Sequence, residues 1–173
     1  MQGLKESGPD CGIPNQCARV VPAWKIAADN LPVAVMFVIG TALLWPITAA
    51  GAIAYFVYCC ASIVLFWALI CPYCHHYNTR ACPCGYGIMS PRFFKPRTGR
   101  EFKKVFKQNI AIMYPCWIFP FFGGAYRLWA DFSRPVLALF ILFCVIGFVL
   151  IPLFAKLVGC RNCEMKANCP WMT

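Results

Sequence analysis

Four cysteines and two histidines crowd one short segment near the middle of the chain. The segment reads CPYCHHYNTRACPC, residues 71–84, and contains Cys71, Cys74, Cys82 and Cys84. Two thiolates in a C-x-x-C turn can face one metal ion, and four thiolates are enough to close a tetrahedral site. The spacing C-x2-C-x7-C-x-C therefore predicts a cysteine-ligated metal centre.

A second cluster, CRNCEMKANCPWMT, adds Cys160, Cys163 and Cys169. Its C-x2-C-x5-C spacing resembles part of the C-x2-C-x5-C-x3-C motif of the auxiliary iron–sulfur domains found in some radical enzymes. The resemblance implies that the tail cysteines ligate metal, sharing the first centre or building a second one. Thr173 stands where that motif has its fourth cysteine, so the fourth ligand must come from elsewhere. The candidates are His75, His76, Cys11 and Cys17.

The cofactor predicted from these ligands is an iron–sulfur cluster or zinc, with iron–sulfur favoured. The interval of seven residues in the first cluster is shorter than the roughly 15 to 20 of a zinc ribbon, but Cys82-Pro-Cys84-Gly resembles a zinc knuckle that lacks one residue. Cysteine followed by proline also occurs at the last ligand of bacterial ferredoxin motifs. The alternative is unmetallated thiols or reversible acylation sites beside a membrane.

The composition indicates a membrane protein. Apolar residues make up 61% of the 173 residues and charged residues 13%, whereas soluble proteins have about 25% charged residues. Three long stretches contain no Asp, Glu, Lys or Arg: residues 30–79, 108–126 and 135–155. A spanning helix needs about 20 apolar residues. Each of the last two stretches therefore suits one span, and the first is long enough for two.

The predicted fold is an all-α integral membrane protein with four transmembrane helices, arranged as two helical hairpins, and a small cysteine-rich cytoplasmic metal-binding region. Pro46 and Gly51 supply the turn of the first hairpin. The expected spans are residues 31–45, 51–70, 108–126 and 135–155. The expected regions are a cytoplasmic segment at 1–30, a hairpin at 31–70, a loop at 71–107, a second hairpin at 108–155 and a tail at 156–173.

The basic residues predict the orientation in the inner or plasma membrane. Fourteen of the sixteen Lys and Arg residues fall on the face that carries the cysteine clusters, and only Arg127 and Arg134 fall on the other. Positive residues are retained on the cytoplasmic side, so both termini are expected there. The segment from Arg92 to Asn109 has a helical pattern that suits a juxtamembrane helix among lipid headgroups.

The expected partners are the lipid bilayer and other protein subunits that dock on the basic face. Nucleic-acid binders usually spread basic and aromatic residues over a folded domain, so no nucleic-acid partner is predicted. The third span contains Pro115 and Pro120 and should be kinked or broken. Its side chains Tyr114, Trp117 and Phe121 are candidates to bind a quinone ring, and the alternative is a simple aromatic belt.

The leading hypothesis is an accessory or electron-transfer subunit of a membrane complex, a non-catalytic component rather than an enzyme. A second hypothesis is a soft-metal carrier, since the predicted spans contain further thiols at Cys59, Cys60, Cys116 and Cys144. A third is a quinone-linked thiol–disulfide oxidoreductase, although such four-helix enzymes keep their cysteine pair on the opposite, oxidising face. No Asp or Glu lies in a predicted span, which disfavours a proton-driven transporter.

Overall fold

The computed structural model describes residues 20–159, and this part of the chain is helical without any strand. The α-helices in this range are α1 (Ala23–Leu44), α2 (Ala49–Leu69), α3 (Tyr86–Phe93), α4 (Phe102–Asn109), α5 (Pro115–Ala130), α6 (Arg134–Cys144) and α7 (Ile151–Phe154). Short 3-10 turns occupy Cys71–Tyr73 and Ile110–Met113. Two π-helical segments, Val145–Leu150 and Ala155–Gly159, flank α7. Residues 134–159 therefore form one continuous helical rod.

Three of the described helices are long and apolar enough to cross a membrane: Ala23–Leu44, Ala49–Tyr73 and Arg134–Leu157. The predicted all-helical class with membrane-spanning helices is confirmed at this level. The predicted third span is not one long helix, because the 3-10 turn at Ile110–Met113 precedes the 16 residues of α5. The count of four spans therefore stays a prediction.

The α2 helix turns its small and polar residues inward and its large apolar residues outward. Its buried residues are Ala52, Tyr55, Cys59 and Ser62. The side chains of Ile53, Phe56, Val57, Val64 and Leu65 are all exposed. A helix of a soluble protein has the reverse pattern, whereas small residues between helices and apolar residues outside are typical of membrane bundles.

The α1 helix is the centre of the bundle, because it packs against α2, α5, α6 and the first π-helical segment. Its Met36 and Leu43 side chains are fully buried. Gly40 allows α2 and α5 to pack closely against α1. A Cβ atom at Gly40 would lie 2.6 Å from the Tyr55 hydroxyl oxygen and 2.8 Å from Cγ of Pro120. Any larger residue would force three helices apart.

The α1 helix also begins earlier than the sequence analysis expected, at Ala23 instead of residue 31. Asp29 and Asn30 therefore belong to the same helix as the apolar residues that follow them. Asp29 therefore lies inside the long apolar helix, two residues before the span expected at residues 31–45. The helix accommodates Asp29 and Asn30 because both polar side chains have partners in the cysteine-rich loop.

The third apolar stretch is interrupted at the 3-10 turn Ile110–Met113, whereas α5 continues through Pro120. Pro120 has no N–H group, so the Cys116 carbonyl four residues earlier lacks its helical donor. The Tyr55 hydroxyl donates to that carbonyl at 2.9 Å. One turn further along α2, the Tyr58 hydroxyl donates to the Ile112 carbonyl at 2.7 Å. Two tyrosines thus hold α2 to the interrupted segment.

Candidate functional site

A cavity of about 590 Å³ lies between α1, α5 and the rod formed by residues 134–159, and we call it the bundle cavity. Its volume falls within the roughly 300 to 1,000 Å³ typical of small-molecule sites. Eight of its nineteen lining residues are aromatic: Phe66, Tyr86, Phe106, Tyr114, Trp117, Phe121, Phe122 and Phe148. The three side chains that the sequence analysis selected for a quinone ring, Tyr114, Trp117 and Phe121, thus line the same cavity.

The bundle cavity is bordered by aromatic side chains that are exposed at the surface of the bundle. Phe122 is 65% exposed and Phe148 is 53% exposed, although both line the cavity. Tyr114 contributes a third exposed ring on the same wall. The cavity therefore reaches the surface of the bundle at these rings.

A π-helical turn forms part of the cavity wall. Gly147 and Phe148 lie in the segment Val145–Leu150 and line the cavity. The indole N–H of Trp117 donates to the Gly147 carbonyl at 3.1 Å, which fixes the Trp117 ring across the cavity wall. Single π-helical turns inside α-helices occur frequently at functional sites, because they change the direction of side chains and free carbonyl groups.

Polar groups gather at one end of the bundle cavity. The side chains of Asp29 and Cys84 both line the cavity at this end, within electrostatic range of each other. The Asn30 amide donates to the carbonyls of Ile26 at 2.8 Å and Cys84 at 3.1 Å, so it fastens the cysteine-rich loop to α1. Burial, followed by the charge of Asp29, raises the pKa of the Cys84 thiol well above its usual value.

The predicted metal ligands of the loop lie close to this polar end. Cys71, which is 6% exposed, lies within electrostatic range of Cys82 and Cys74, and Cys84 lies within range of Cys82 and Cys71. The rings of His75 and its neighbour meet edge to face at 5.8 Å between centroids. In residues 20–159, however, no group of three or more His, Cys, Asp or Glu side chains is arranged to hold a metal ion.

The predicted metal centre therefore stays a prediction. The tail ligands Cys160, Cys163 and Cys169 lie outside the described residues, as do Cys11 and Cys17.

The four cysteines that the sequence analysis placed inside the spans differ in their burial. Cys59 and Cys116 are fully buried, and the Ser62 hydroxyl lies 3.5 Å from the Cys116 sulfur and donates to the Cys59 carbonyl. Cys60 is exposed on the outer side of α2, and Cys144 is half-buried on α6. Of these four cysteines, only Cys59 and Cys116 therefore belong to the buried core.

Several residues of the two sites were not selected from the sequence. Asp29 and Asn30 were assigned to a segment outside the membrane, so their place at the polar end of the cavity was missed. Tyr55 and Ser62 were missed as neighbours of the thiols, although both lie on the face of α2 that carries Cys59. The available signal was the spacing of 55, 59 and 62, which puts three polar side chains on one helical face.

Comparisons with known proteins give no relative. No protein family matches the chain, and neither a curated protein nor a solved structure matches it.

Proposed function

We propose that the protein is an integral membrane protein that binds a lipid-soluble ring compound of the quinone class in the bundle cavity. The observation that carries the proposal is the cavity itself, which combines aromatic walls, a lateral opening and a polar end. Aromatic side chains such as Trp117 and Phe121 stack favourably against a flat ring. The isoprenoid tail of such a compound leaves through the opening beside Phe122 and Phe148.

The charges around the cavity support a neutral ligand head. Among the described residues that line it there is no Lys or Arg, and Asp29 is present. A lipid phosphate would meet a carboxyl group without a compensating cation, which is costly at a partly buried site. A quinone carbonyl or hydroquinone hydroxyl carries no charge. Asp29 accepts a hydrogen bond from the hydroxyl form, and Tyr86 is the donor for the carbonyl form.

The proposed arrangement in the membrane has four spans, with α5 and the turn before it as the third. Every backbone carbonyl in lipid needs a donor, and the bonds from Tyr55 and Tyr58 supply donors along this interrupted segment. The excess of Lys and Arg on the face of the cysteine clusters supports a cytoplasmic location for both termini. The membrane is the inner or plasma membrane in this proposal.

A second candidate is electron transfer between the quinone and a cysteine-ligated centre in the loop. It is favoured by one observation, that Cys84 both lines the bundle cavity and lies within electrostatic range of Cys82 and Cys71. Cys74 and His75 complete the loop ligands, and the tail cysteines complete the coordination or bind a second ion. The centre is iron–sulfur or zinc, and only iron–sulfur passes electrons. In this version, a soluble partner subunit docks on the basic residues of the segment from Arg92 to Asn109.

Binding of the quinone is tested by photolabelling. The purified protein in lipid vesicles is illuminated with a photoreactive benzoquinone analogue, and labelled peptides are identified by mass spectrometry. We expect labels between Tyr114 and Phe122, and displacement by unlabelled quinone. Ala155→Phe fills the cavity and should reduce labelling at least tenfold, whereas Leu157→Phe changes an exposed position two residues away and should not. Equal labelling of both variants, or labels spread evenly over exposed helices, contradicts the proposal.

The metal centre is tested separately. The protein is purified without oxygen, and iron, zinc and acid-labile sulfide are measured by elemental and chemical analysis. We expect a stoichiometric metal that is lost in Cys82→Ser and retained in Cys60→Ser, which changes an exposed thiol on α2. Iron with sulfide supports electron transfer, zinc supports a structural site, and protein without either metal excludes the centre.

A further inference from the structure

Among the described residues that line the bundle cavity, every side-chain N–H group is already donated to a protein carbonyl. The lining side chains that carry such groups are Asn30 and Trp117, and no Lys or Arg is among them. Asn30 donates to the carbonyls of Ile26 at 2.8 Å and Cys84 at 3.1 Å. Trp117 donates to the Gly147 carbonyl at 3.1 Å. The lining therefore keeps no side-chain N–H donor for a ligand.

Oxygen acceptors remain open at the polar end of the same cavity. Asp29 lines this end, and an ionised carboxylate has two oxygens that together accept about four hydrogen bonds and donate none. Tyr86 also lines the cavity, with a hydroxyl group that can either donate or accept. The polar end therefore offers mainly acceptors, and Asp29 is the strongest of them.

We propose that the bundle cavity binds the hydroquinone form of its ligand in preference to the quinone form, and that Asp29 is the residue that discriminates between them. The selectivity rests on the proposed quinone function. A quinone has two carbonyl oxygens, which only accept hydrogen bonds, whereas a hydroquinone has two hydroxyl groups, which also donate them. The Asp29 carboxylate can pair with a hydroxyl group and cannot pair with a carbonyl.

The aromatic walls of the cavity do not distinguish the two forms. Both forms have a flat ring of the same size and the same tail, so stacking on Trp117 and Phe121 contributes almost equally to both complexes. The difference in affinity therefore arises where the ring oxygens meet the polar side chains.

The charge of a carboxylate makes this difference large. A ligand hydroxyl that donates to Asp29 forms a charge-assisted hydrogen bond, which is roughly twice as strong as a neutral one. A quinone carbonyl in the same place would displace water from Asp29 without replacing its hydrogen bond, and this loss is costly. We therefore expect hydroquinone to bind roughly tenfold tighter than quinone, or more.

Selective binding also changes the redox potential of the bound couple. Each tenfold preference for the reduced form raises the two-electron midpoint potential by about 30 mV. Bound quinone should therefore accept electrons more readily than quinone that is free in the lipid. No electron moves during binding itself, so the selectivity is an equilibrium property that binding measurements can test.

The experiment compares the binding of one short-tailed benzoquinone and of its hydroquinone. Each tritium-labelled form is added separately to the protein in nanodiscs without oxygen, bound ligand is counted, and chromatography verifies the redox form afterwards. Wild-type protein should bind hydroquinone roughly tenfold tighter or more. In Asp29→Asn the two dissociation constants should become similar, because an amide group both donates and accepts. Asp131→Asn is the matched control and should keep the wild-type ratio, since Asp131 is exposed and does not line the cavity.

A second variant keeps the test decisive if Asp29→Asn does not fold. Tyr86→Phe removes a hydroxyl group that can donate to a quinone carbonyl, so it should weaken quinone binding more than hydroquinone binding. Equal binding of both forms by wild-type protein, or tighter binding of quinone, overturns the proposed selectivity and leaves the quinone site standing. An unchanged ratio in Asp29→Asn also overturns it. Binding of neither form overturns the selectivity together with the proposed function.

Discussion

The Tyr55 hydroxyl donates to the Cys116 carbonyl, the acceptor that Pro120 leaves without a helical donor. A side chain of α2 thus replaces a main-chain hydrogen bond of α5. The replacement explains how a proline is tolerated in the middle of a helix that packs in the core, since a buried carbonyl without a donor is costly. The Tyr55 hydroxyl therefore ties α2 to the turn of α5 that precedes Pro120.

Tyr55→Phe should lower the free energy of unfolding by about 1 to 3 kcal/mol, because it leaves the Cys116 carbonyl buried without a donor. The measurement is unfolding in detergent micelles, followed by circular dichroism. Tyr126→Phe is the control, since Tyr126 is exposed.

Pro120→Ala tests the cause of that loss. Alanine at position 120 has the N–H group that α5 lacks, so adding Pro120→Ala should make the cost of Tyr55→Phe smaller. A double-mutant cycle measures the difference. If Tyr55→Phe costs the same with proline and with alanine at position 120, the two groups do not serve the same carbonyl.

Gly40→Ala should destabilise the bundle by about 1 to 3 kcal/mol, since its new Cβ atom would overlap the Tyr55 hydroxyl and the Pro120 ring. Gly51→Ala is the matched control, because the new atom there meets only the Thr48 side chain in the first turn of α2. Alanine also favours a helix, so Gly51→Ala should be neutral or slightly stabilising. Equal effects of both substitutions would show that α1 is not tightly packed at Gly40.

Asn30→Ala should loosen the cysteine-rich loop, because the Asn30 amide holds the Cys84 carbonyl against α1. If the free energy of local opening of the loop falls by about 1.4 kcal/mol, the loop opens roughly tenfold more often. Labelling of Cys84 by a maleimide, followed by mass spectrometry, should therefore become about tenfold faster. Asn109→Ala removes a similar amide bond, to the Val105 carbonyl within α4, and should leave Cys84 labelling unchanged.

Reporter fusions determine how many times the chain crosses the membrane. Fusions after residues 47 and 132 should report the side opposite to a fusion after residue 97, if the segment from Ile110 to Ala130 crosses the bilayer. A reporter after residue 132 that lies on the same side as the one after residue 97 would leave only the three long helices as spans.

The helical class and the aromatic residues of the cavity wall could be predicted from the sequence, because both depend on residues that are close together in the chain. Uncharged stretches predict spanning helices whatever the partners are. Pro115 and Pro120 predict a break, and Tyr114, Trp117 and Phe121 were selected because they surround it. These features depend on the chemistry of neighbouring residues in the chain.

The polar end of the cavity and the packing of Cys59 were not accessible, because they depend on how helices rotate against one another. Asn30 meets the Cys84 carbonyl across 54 residues of sequence, and such a partner makes a polar residue acceptable in an apolar helix. Cys59 and Cys60 are adjacent and chemically identical, but only Cys59 is buried. The spacing of Tyr55, Cys59 and Ser62 puts Cys59 on the polar face of α2, but it does not reveal which helix that face packs against.

The central position of α1 has a consequence for biogenesis. The ribosome makes this helix first among the described elements, yet its neighbours α5 and α6 are completed roughly a hundred residues later. Until then Met36 and Leu43 face lipid or an insertion factor, because the surfaces that finally cover them do not yet exist. Assembly of the bundle is therefore governed by late, long-range docking, and a chain interrupted before residue 134 would leave its innermost helix without its last partner.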